Sequence, residues 1–494
     1  MVEVAIVGGG LAGMISALRL LQSGCRVSVF EASRRLGGKA GADDNGATYN
    51  DHAYHVFPAW YVNLWKLVDE LGIRNHFLDC TDMLALYAGE YPNFLRFRNF
   101  ASPRYAWQNL TSGFLPFPQM LLMMYASLDL ASQPDRSAAR LDQMSVNGFV
   151  RSRFYCTDAV ATSMGEVMLK AVADPSYLVS ARTVARVMRY WLKSPAPMFR
   201  IVRGNLQQFL IEPIAQAIAK RGGKIHTGVR LERLHVEGSR ARHLELVDAN
   251  SGTRKTIQVG HVILAIPAEQ VVRLIDDEVY SAAPALSRLH QLRVNPMASL
   301  DIYFARLIPD IPKNHVQLVG SRFELSFLDI AQIWGGFEGS VLSTTACNAG
   351  DLEGLSRERA TAALLDDMRQ FIPALDSNGI TRTVYQDHAR QPLFMNDVGA
   401  WEFRPNATTQ LQNLFLAGDY CRSHVDLASV EGAIVSALHA VRALAQSARL
   451  DCPAAILPIP VYPHWLLTLG RWGLMPVAAA ARIWAALPGP APRR

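Results

Sequence analysis

The first thirty residues show two kinds of hydrophobic spacing. Val4, Ala5, Ile6 and Val7 form an unbroken apolar run, the pattern of a parallel strand buried on both faces. Three glycines follow, and apolar residues then recur at helical spacing from Leu11 to Gln22. A second apolar strand is predicted over Arg26 to Phe30. The alternation returns twice. Residues 204–238 read as a helix closed by Arg221, Gly222 and Gly223, then two strands, and an apolar strand from His261 to Val271 follows, halted by Pro267. Residues 413–444 read as a buried strand, an Ala-Gly-Asp turn, a loop and a long helix. Strands alternating with helices predict an α/β fold with a parallel sheet. The dispersed pieces are expected to build one Rossmann-like nucleotide domain from residues 1–75, 201–267 and 386–450.

The intervening segments follow a different pattern. Residues 76–200 are rich in helix formers and aromatics, including the apolar stretch Phe114 to Leu130. Residues 268–385 mix helices with strand-like runs such as Ala298 to Leu307. Together they predict a mixed α+β substrate domain laid over the first. Phe114 to Leu130 is short for a bilayer span and is expected to line a tunnel or lie on a membrane surface. Residues 451–494 are proline-rich and then apolar, with Trp465, Trp472 and Trp484 near arginines. Arg471, Pro476 and Arg482 break the run, so it lacks the ~20 uninterrupted apolar residues of a span. An interfacial helix and a helix docked on the protein's own surface both fit this tail.

The turns carry the chemistry. Gly8, Gly10 and Gly13 fit G-x-G-x-x-G: a tight turn, a close approach to a pyrophosphate, and helix–strand packing. Leu11 and Ala12 open the helix, whose free N–H groups face the phosphates. Glu31, 18 residues after Gly13 and followed by Ala32, suits a ribose hydroxyl. Gly37 and Gly38, flanked by Arg34, Arg35 and Lys39, form a second nest that suits a longer, extended cofactor. Far along the chain, Gly418 and Asp419 end a strand, and the next helix opens at Ser429, Val430 and Glu431. A carboxylate there can hold a ribityl hydroxyl, and the helix end favours a reduced isoalloxazine. The combination points to FAD rather than NAD.

Four blocks resemble the flavin amine oxidase superfamily, and within it the phytoene and ζ-carotene desaturase branch: VAIVGGGLAG with EASRRLGGKA, DHAYHVFPAWYVNLWKLVDELGI, RGNLQQFLIEPIAQAIAKRGGKI, and LFLAGDYCRSHVDLASVEGAIVSA. They reach about residue 445, and the tail lies outside them. The resemblance implies that Gly8, Gly10, Gly13, Glu31, Arg35, Gly38 and Lys39 contact the ADP and pyrophosphate. It implies that Val229 meets the adenine, that Asp419 binds the ribityl chain or pyrophosphate, and that Ser429, Val430 and Glu431 lie near the isoalloxazine. His55, with Asp51 four residues ahead, matches a family histidine and is the candidate catalytic residue; a structural histidine is the alternative. His52 is a weaker candidate. The chain departs from the family at Ala53 and Ser436–Ala437, and a quinone-pocket arginine aligns ambiguously near Arg189 and Tyr190.

The activity implied is desaturation of a long apolar isoprenoid or carotenoid-like substrate, with hydride passing to flavin N5 and reoxidation by quinone or oxygen. Burial alone can hold such a chain, at about 0.8 kcal/mol per methylene. A flavin isomerase or a hydroxysqualene-type dehydroxylase is a competing reading. An amine oxidase is another; its aromatic cage would have to come from Tyr385, Phe394 and Trp401. The six cysteines show no C-x-x-C spacing, so no metal site is signalled, and their scatter suits a reducing cytoplasm. The net charge of +6, without a block of Lys and Arg interleaved with aromatics, argues against nucleic acid. Peripheral contact with a membrane surface fits better.

Overall fold

The computed structural model describes the chain except residues 45–48, 52, 100–101, 173, 377–378, 389–391, 453 and 488–494. The candidate His52 lies outside the described residues. The principal elements begin with β1 (Glu3–Val7), α1 (Leu11–Gln22), β2 (Arg26–Glu31) and α2 (Val62–Glu70). Next come β3 (Asp82–Tyr87), β4 (Leu95–Arg98), α3 (Pro103–Leu110), α4 (Phe117–Ala131) and α5 (Ala181–Leu192). The middle of the chain supplies β5 (Lys224–Thr227), β6 (His261–Leu264), β7 (Ala298–Phe304), β8 (Val316–Val319), β9 (Leu325–Asp329) and β10 (Val341–Ala346). The last part holds α6 (Arg357–Arg369), β11 (Ile380–Asp387), β12 (Leu414–Leu416), α7 (Val430–Ala448) and α8 (His464–Ala486).

Among the described residues, one sheet runs β5-β2-β1-β6-β12 with every pairing parallel. Its central strands β1, β6 and β12 are buried almost throughout. α1 and α7 cover one face, and on the other Ala5, Val7, Val262 and Leu264 pack with Leu231, Leu234 and Leu244 of the antiparallel strands Val229–Glu237 and Arg240–Asp248. α1 is buried along most of its length and packs against α7, so two segments more than 400 residues apart form one layer. The strand expected to run to Val271 stops at Leu264, and Ala265 to Pro267 turn out at the strand ends.

The second sheet runs β11-β7-β10-β9-β8-β3-β4, antiparallel except where β8 meets β3. Its side chains alternate strictly. Leu300, Ile302, Leu325, Phe327 and Leu342 pack on one face with Leu364 and Met368 of α6. The other face turns toward the parallel sheet.

α7 and α2 are joined by one side chain. No side chain of its own caps α2, so its first N–H groups need partners from elsewhere. Glu431 supplies them: its carboxylate accepts from the backbone N–H of Asn63 at 2.9 Å and of Leu64 at 2.9 Å, and from the Asn63 amide at 2.8 Å. The sequence reading placed Glu431 beside a cofactor ring; the structure turns it into the joint between helices, because three donors converge there.

Phe114 to Leu130 was expected to line a tunnel or lie on a membrane. α4 packs beneath α5 and α8, and none of its residues lines the cavity at the carboxyl ends of the parallel strands, which leaves the tunnel expectation unmet. α8 rests on it. The Phe117 and Trp484 rings are 5.8 Å apart, and Arg471 donates to Asp129 at 3.1 Å. Leu467, Ala478 and Ala481 face inward, while the three tryptophans face out. Among the described residues no helix is long and apolar enough to cross a membrane.

Burial raises the Glu431 carboxyl from its ordinary range to about 7. The folded protein therefore keeps this proton where the unfolded chain has released it. The stability from this group is full below about 4.5 and is lost as pH rises through about 7. Urea unfolding across that window should show Glu431→Gln with a flatter pH dependence than the parent and lower stability at acid pH, since one N–H loses its acceptor. An unchanged slope would contradict this reading.

Candidate functional site

The carboxyl ends of the parallel strands open onto a cavity of about 780 Å³. This is where open α/β sheets bind ligands, since helix N-termini and strand-end loops converge there. Val7, Gly8, Gly10, Leu11 and Ala12 line it from the first turn, and Glu31 and Ala32 from the end of β2. Gly38 and Lys39 line it from the second glycine nest, Val229 from the strand after β5, and Gly418 and Asp419 from the turn after β12. Ser429 and Val430 close it at the start of α7, and His55 faces it from the loop before α2. The structure therefore gathers most of the sequence-derived residues into one continuous space.

Three of them lie elsewhere. Gly13 is packed away from the cavity: an added Cβ would sit 1.9 Å from the Gly8 carbonyl oxygen. Arg35 points back, donating to the Gly38 carbonyl at 2.9 Å and pairing with Asp43. It stiffens the nest rather than lining it. Glu431 is the helix joint described above.

The glycines divide the work physically. Gly8 has φ +107°, and a Cβ there would meet the Ala265 oxygen at 2.3 Å, so only glycine fits. Gly10 differs: a Cβ would meet nothing in the protein nearer than Gly38 Cα at 4.0 Å. That open volume at the N-terminus of α1 is the space a pyrophosphate would take. Glu31 accepts from the Gly9 N–H at 2.5 Å and from the Ser33 N–H at 2.8 Å, which fixes its carboxylate at the cavity wall. Lys39 and Arg273 bring cations to the lining, where Glu31, Glu232, Glu269 and Asp419 bring carboxylates, and Arg293 is paired with Asp397.

The far end has its own anchors. Ser429 caps α7, accepting from the Gly432 N–H at 3.0 Å, so the helix begins at the cavity. Ser436 accepts from the Gly418 N–H at 2.9 Å and ties the Ala-Gly-Asp turn to α7. Arg404 is fully enclosed. It pairs with Asp426 at 2.5 Å and donates to the carbonyls of Asp419 at 3.0 Å, Tyr420 at 3.0 Å and Cys421 at 2.9 Å. Sequence reading missed the pairing of Arg404 with Asp426: Asp426 lies inside the block LFLAGDYCRSHVDLASVEGAIVSA, but its partner is 22 residues away and outside any block. It also missed Tyr61 and Arg273, whose only signal was neighbourhood to motif residues.

His55 is half-buried at the cavity wall, and desolvation lowers its pKa, so the ring is neutral near pH 7. Its Nδ1 lies 2.7 Å from the Ala53 carbonyl. That contact assigns the proton to Nδ1 and leaves Nε2 as an acceptor. The aromatic cage does not assemble. Phe394 lines the cavity, but Tyr385 belongs to the core on the far face of the sheet, and Trp401 stacks on Arg182 at 3.7 Å. Arg189 and Tyr190 do not line the cavity; Arg189 donates to the Ala131 carbonyl at 2.9 Å. Cys421 is buried, and its thiol is pushed up to about 12.

The family described as flavin containing amine oxidoreductase matches residues 11–445. A zeta-carotene desaturase of Synechocystis sp. is 25% identical over 91% of this chain and 98% of its own. A 15-cis-phytoene desaturase of Synechococcus elongatus is 23% identical over 88% of this chain and 94% of its own. Among solved structures, an oxidoreductase from Methanosarcina mazei superposes with TM-score 0.68 at 16% identity, over 88% of this chain and 99% of its own. Cyclohexylamine oxidase from Brevibacterium oxydans superposes with TM-score 0.63 at 15% identity, over 91% and 99%.

The Gly10 space gives a direct test. Gly10→Val adds atoms only to the cavity, so the variant should purify folded and without flavin. Absorbance per chain and circular dichroism report the two properties separately. A variant with full flavin content would show that the diphosphate does not lie there.

Proposed function

The chain belongs to the flavin containing amine oxidoreductase family, its cofactor is FAD, and on that premise we propose that it dehydrogenates a long isoprenoid of the kind carotenoid desaturases use. One observation carries the reading: similarity to a zeta-carotene desaturase extends over nine-tenths of the chain, while Tyr385 and Trp401, two of the three aromatics an amine cage was expected to use, do not line the cavity. Leu292, Val294, Met297, Leu393 and Phe394 form one apolar wall, against which a polyene gains about 0.8 kcal/mol per buried methylene.

Bound FAD supplies the two-electron acceptor, which a quinone or oxygen restores. The chain's own residues position and deprotonate. The apolar wall holds the substrate by burial and excludes water. His55 lines the cavity with its Nδ1 occupied by the Ala53 carbonyl, and its unprotonated Nε2 takes the proton lost from the carbon next to the oxidised C–H.

The same reading places the protein on a membrane, where such substrates reside. Trp465, Leu469, Trp472, Ile483 and Trp484 of α8 are each more than half exposed, as is Trp107 of α3. α8 carries no acidic residue, and its inward face is held by α4, so the outward indoles are presented rather than left loose.

Anaerobic addition of phytoene in liposomes should bleach the oxidised flavin band, and quinone or air should restore it. Bleaching by a simple amine alone would overturn the isoprenoid reading. Product without bleaching would establish an isomerase or dehydroxylase instead. In the same assay His55→Gln should keep its flavin and slow bleaching by about 10²–10⁴-fold. A rate within twofold of the parent would make His55 structural.

Liposome flotation tests the membrane face. The parent should float with vesicles, and the double variant Trp472→Glu/Ile483→Glu should stay in solution with unchanged flavin content. Equal flotation of both would remove α8 from the account.

A further inference from the structure

The face of the second sheet that turns toward the parallel sheet carries apolar residues such as Met83, Leu328 and Val341, but a polar row crosses it beside the cavity. Strand register sets Ser299 of β7 opposite Thr345 of β10, Thr345 opposite Ser326 of β9, and Ser326 opposite Gln317 of β8. These four form one row across four neighbouring strands, and none is more than 6% exposed. Their neighbours in sequence, such as Leu300, Phe327 and Leu318, point to the opposite face and form its apolar core. The row is thus a choice of side chains on one face and not a polar strand as such.

Two members of the row are served by the protein. Ser326 accepts from the Tyr54 hydroxyl at 2.6 Å, and Ser299 lies 3.3 Å from His388 Nε2. Thr345, between them, is different. Its Oγ1 is buried and finds no hydrogen-bond partner in the protein, yet Thr345 lines the cavity together with Tyr54, Ser326, His315 and His388. A buried hydroxyl without a partner is costly, and valine would fill the same volume without that cost.

We propose that Thr345 Oγ1 hydrogen-bonds an oxygen atom on the substrate, so that the cavity selects an oxygen-bearing isoprenoid, an alcohol or ketone, over the bare hydrocarbon. The proposal rests on the dehydrogenase reading above and names its substrate class more closely. The cavity then has two matched walls. The apolar one, from Leu292 to Met297 with Leu393 and Phe394, takes the chain. The sheet wall, with Thr345 at its centre and the Tyr54–Ser326 pair beside it, takes the oxygen. Such an arrangement fixes which end of a long, otherwise featureless chain lies at the flavin, because burial alone is non-directional.

The test compares geranylgeraniol with the same hydrocarbon lacking its hydroxyl, read as perturbation of the bound flavin's spectrum in the holoenzyme. The parent should bind the alcohol more tightly. Thr345→Val keeps shape and removes the hydroxyl; it should weaken alcohol binding by about fivefold, the size of one hydrogen bond, and leave the hydrocarbon unchanged. Thr345→Ser keeps the hydroxyl and should keep the preference, which separates loss of a bond from loss of packing. Equal affinity of the parent for the two compounds, or an equal effect of Thr345→Val on both, overturns this inference alone. A flavin-loaded protein that neither compound perturbs overturns the isoprenoid reading and this inference with it.

Discussion

The site depends on one buried ion pair. Arg404 and Asp426 are each almost wholly enclosed, and a lone charge in that position would be strongly destabilising, by about 3–5 kcal/mol if either partner were removed. What makes the pair useful is the rest of the guanidinium. Its remaining N–H groups grip three successive carbonyls, Asp419 to Cys421, and so fix the backbone just after the Ala-Gly-Asp turn. Asp426 is held in turn by Arg182 at 3.4 Å and Arg186 at 3.7 Å, both on α5. The turn after β12 is thereby tied to α5, a helix from the segment between the first and second pieces of the parallel sheet. Ser436 fastens the same turn to α7, and Glu431 fastens α7 to α2. One chain of polar contacts thus sets where the cavity's far end lies relative to its near end.

The near end needs less support, which is why it was legible in the sequence. Gly8, Gly10 and Gly38 act through their own backbone geometry, so spacing alone reveals them. The start of α7 at Ser429 was legible for the same local reason: a serine before a helical run caps it. Arg35 and Glu431 were misread because a charged side chain within a motif has two directions to point. Arg35 found Asp43 and the Gly38 carbonyl; Glu431 found the unsatisfied N-terminus of α2. Neither partner could be inferred without the tertiary fold. Arg404, Asp426 and the row through Thr345 were invisible, since each exists only through pairings far apart in sequence.

The apolar stretches show the converse. Phe114 to Leu130 reads as a tunnel lining or a membrane-surface segment because composition does not say what covers it. The structure covers it with α8, and the tail's own outward face becomes the exposed apolar surface. The greasiness of the chain is real, but it is displaced by one layer of helix. The cavity shows a similar division, with an apolar wall on one side and a hydroxyl-bearing sheet on the other.

The most direct check of the central claim is a crystal structure of the flavin-loaded protein. The account requires one FAD with its diphosphate against Gly10 and Gly38 at the start of α1, and its ring system at Ser429 and Val430 below the Thr345 face of the sheet. A flavin whose ring lies away from the start of α7, or a nucleotide bound outside this cavity, would contradict it.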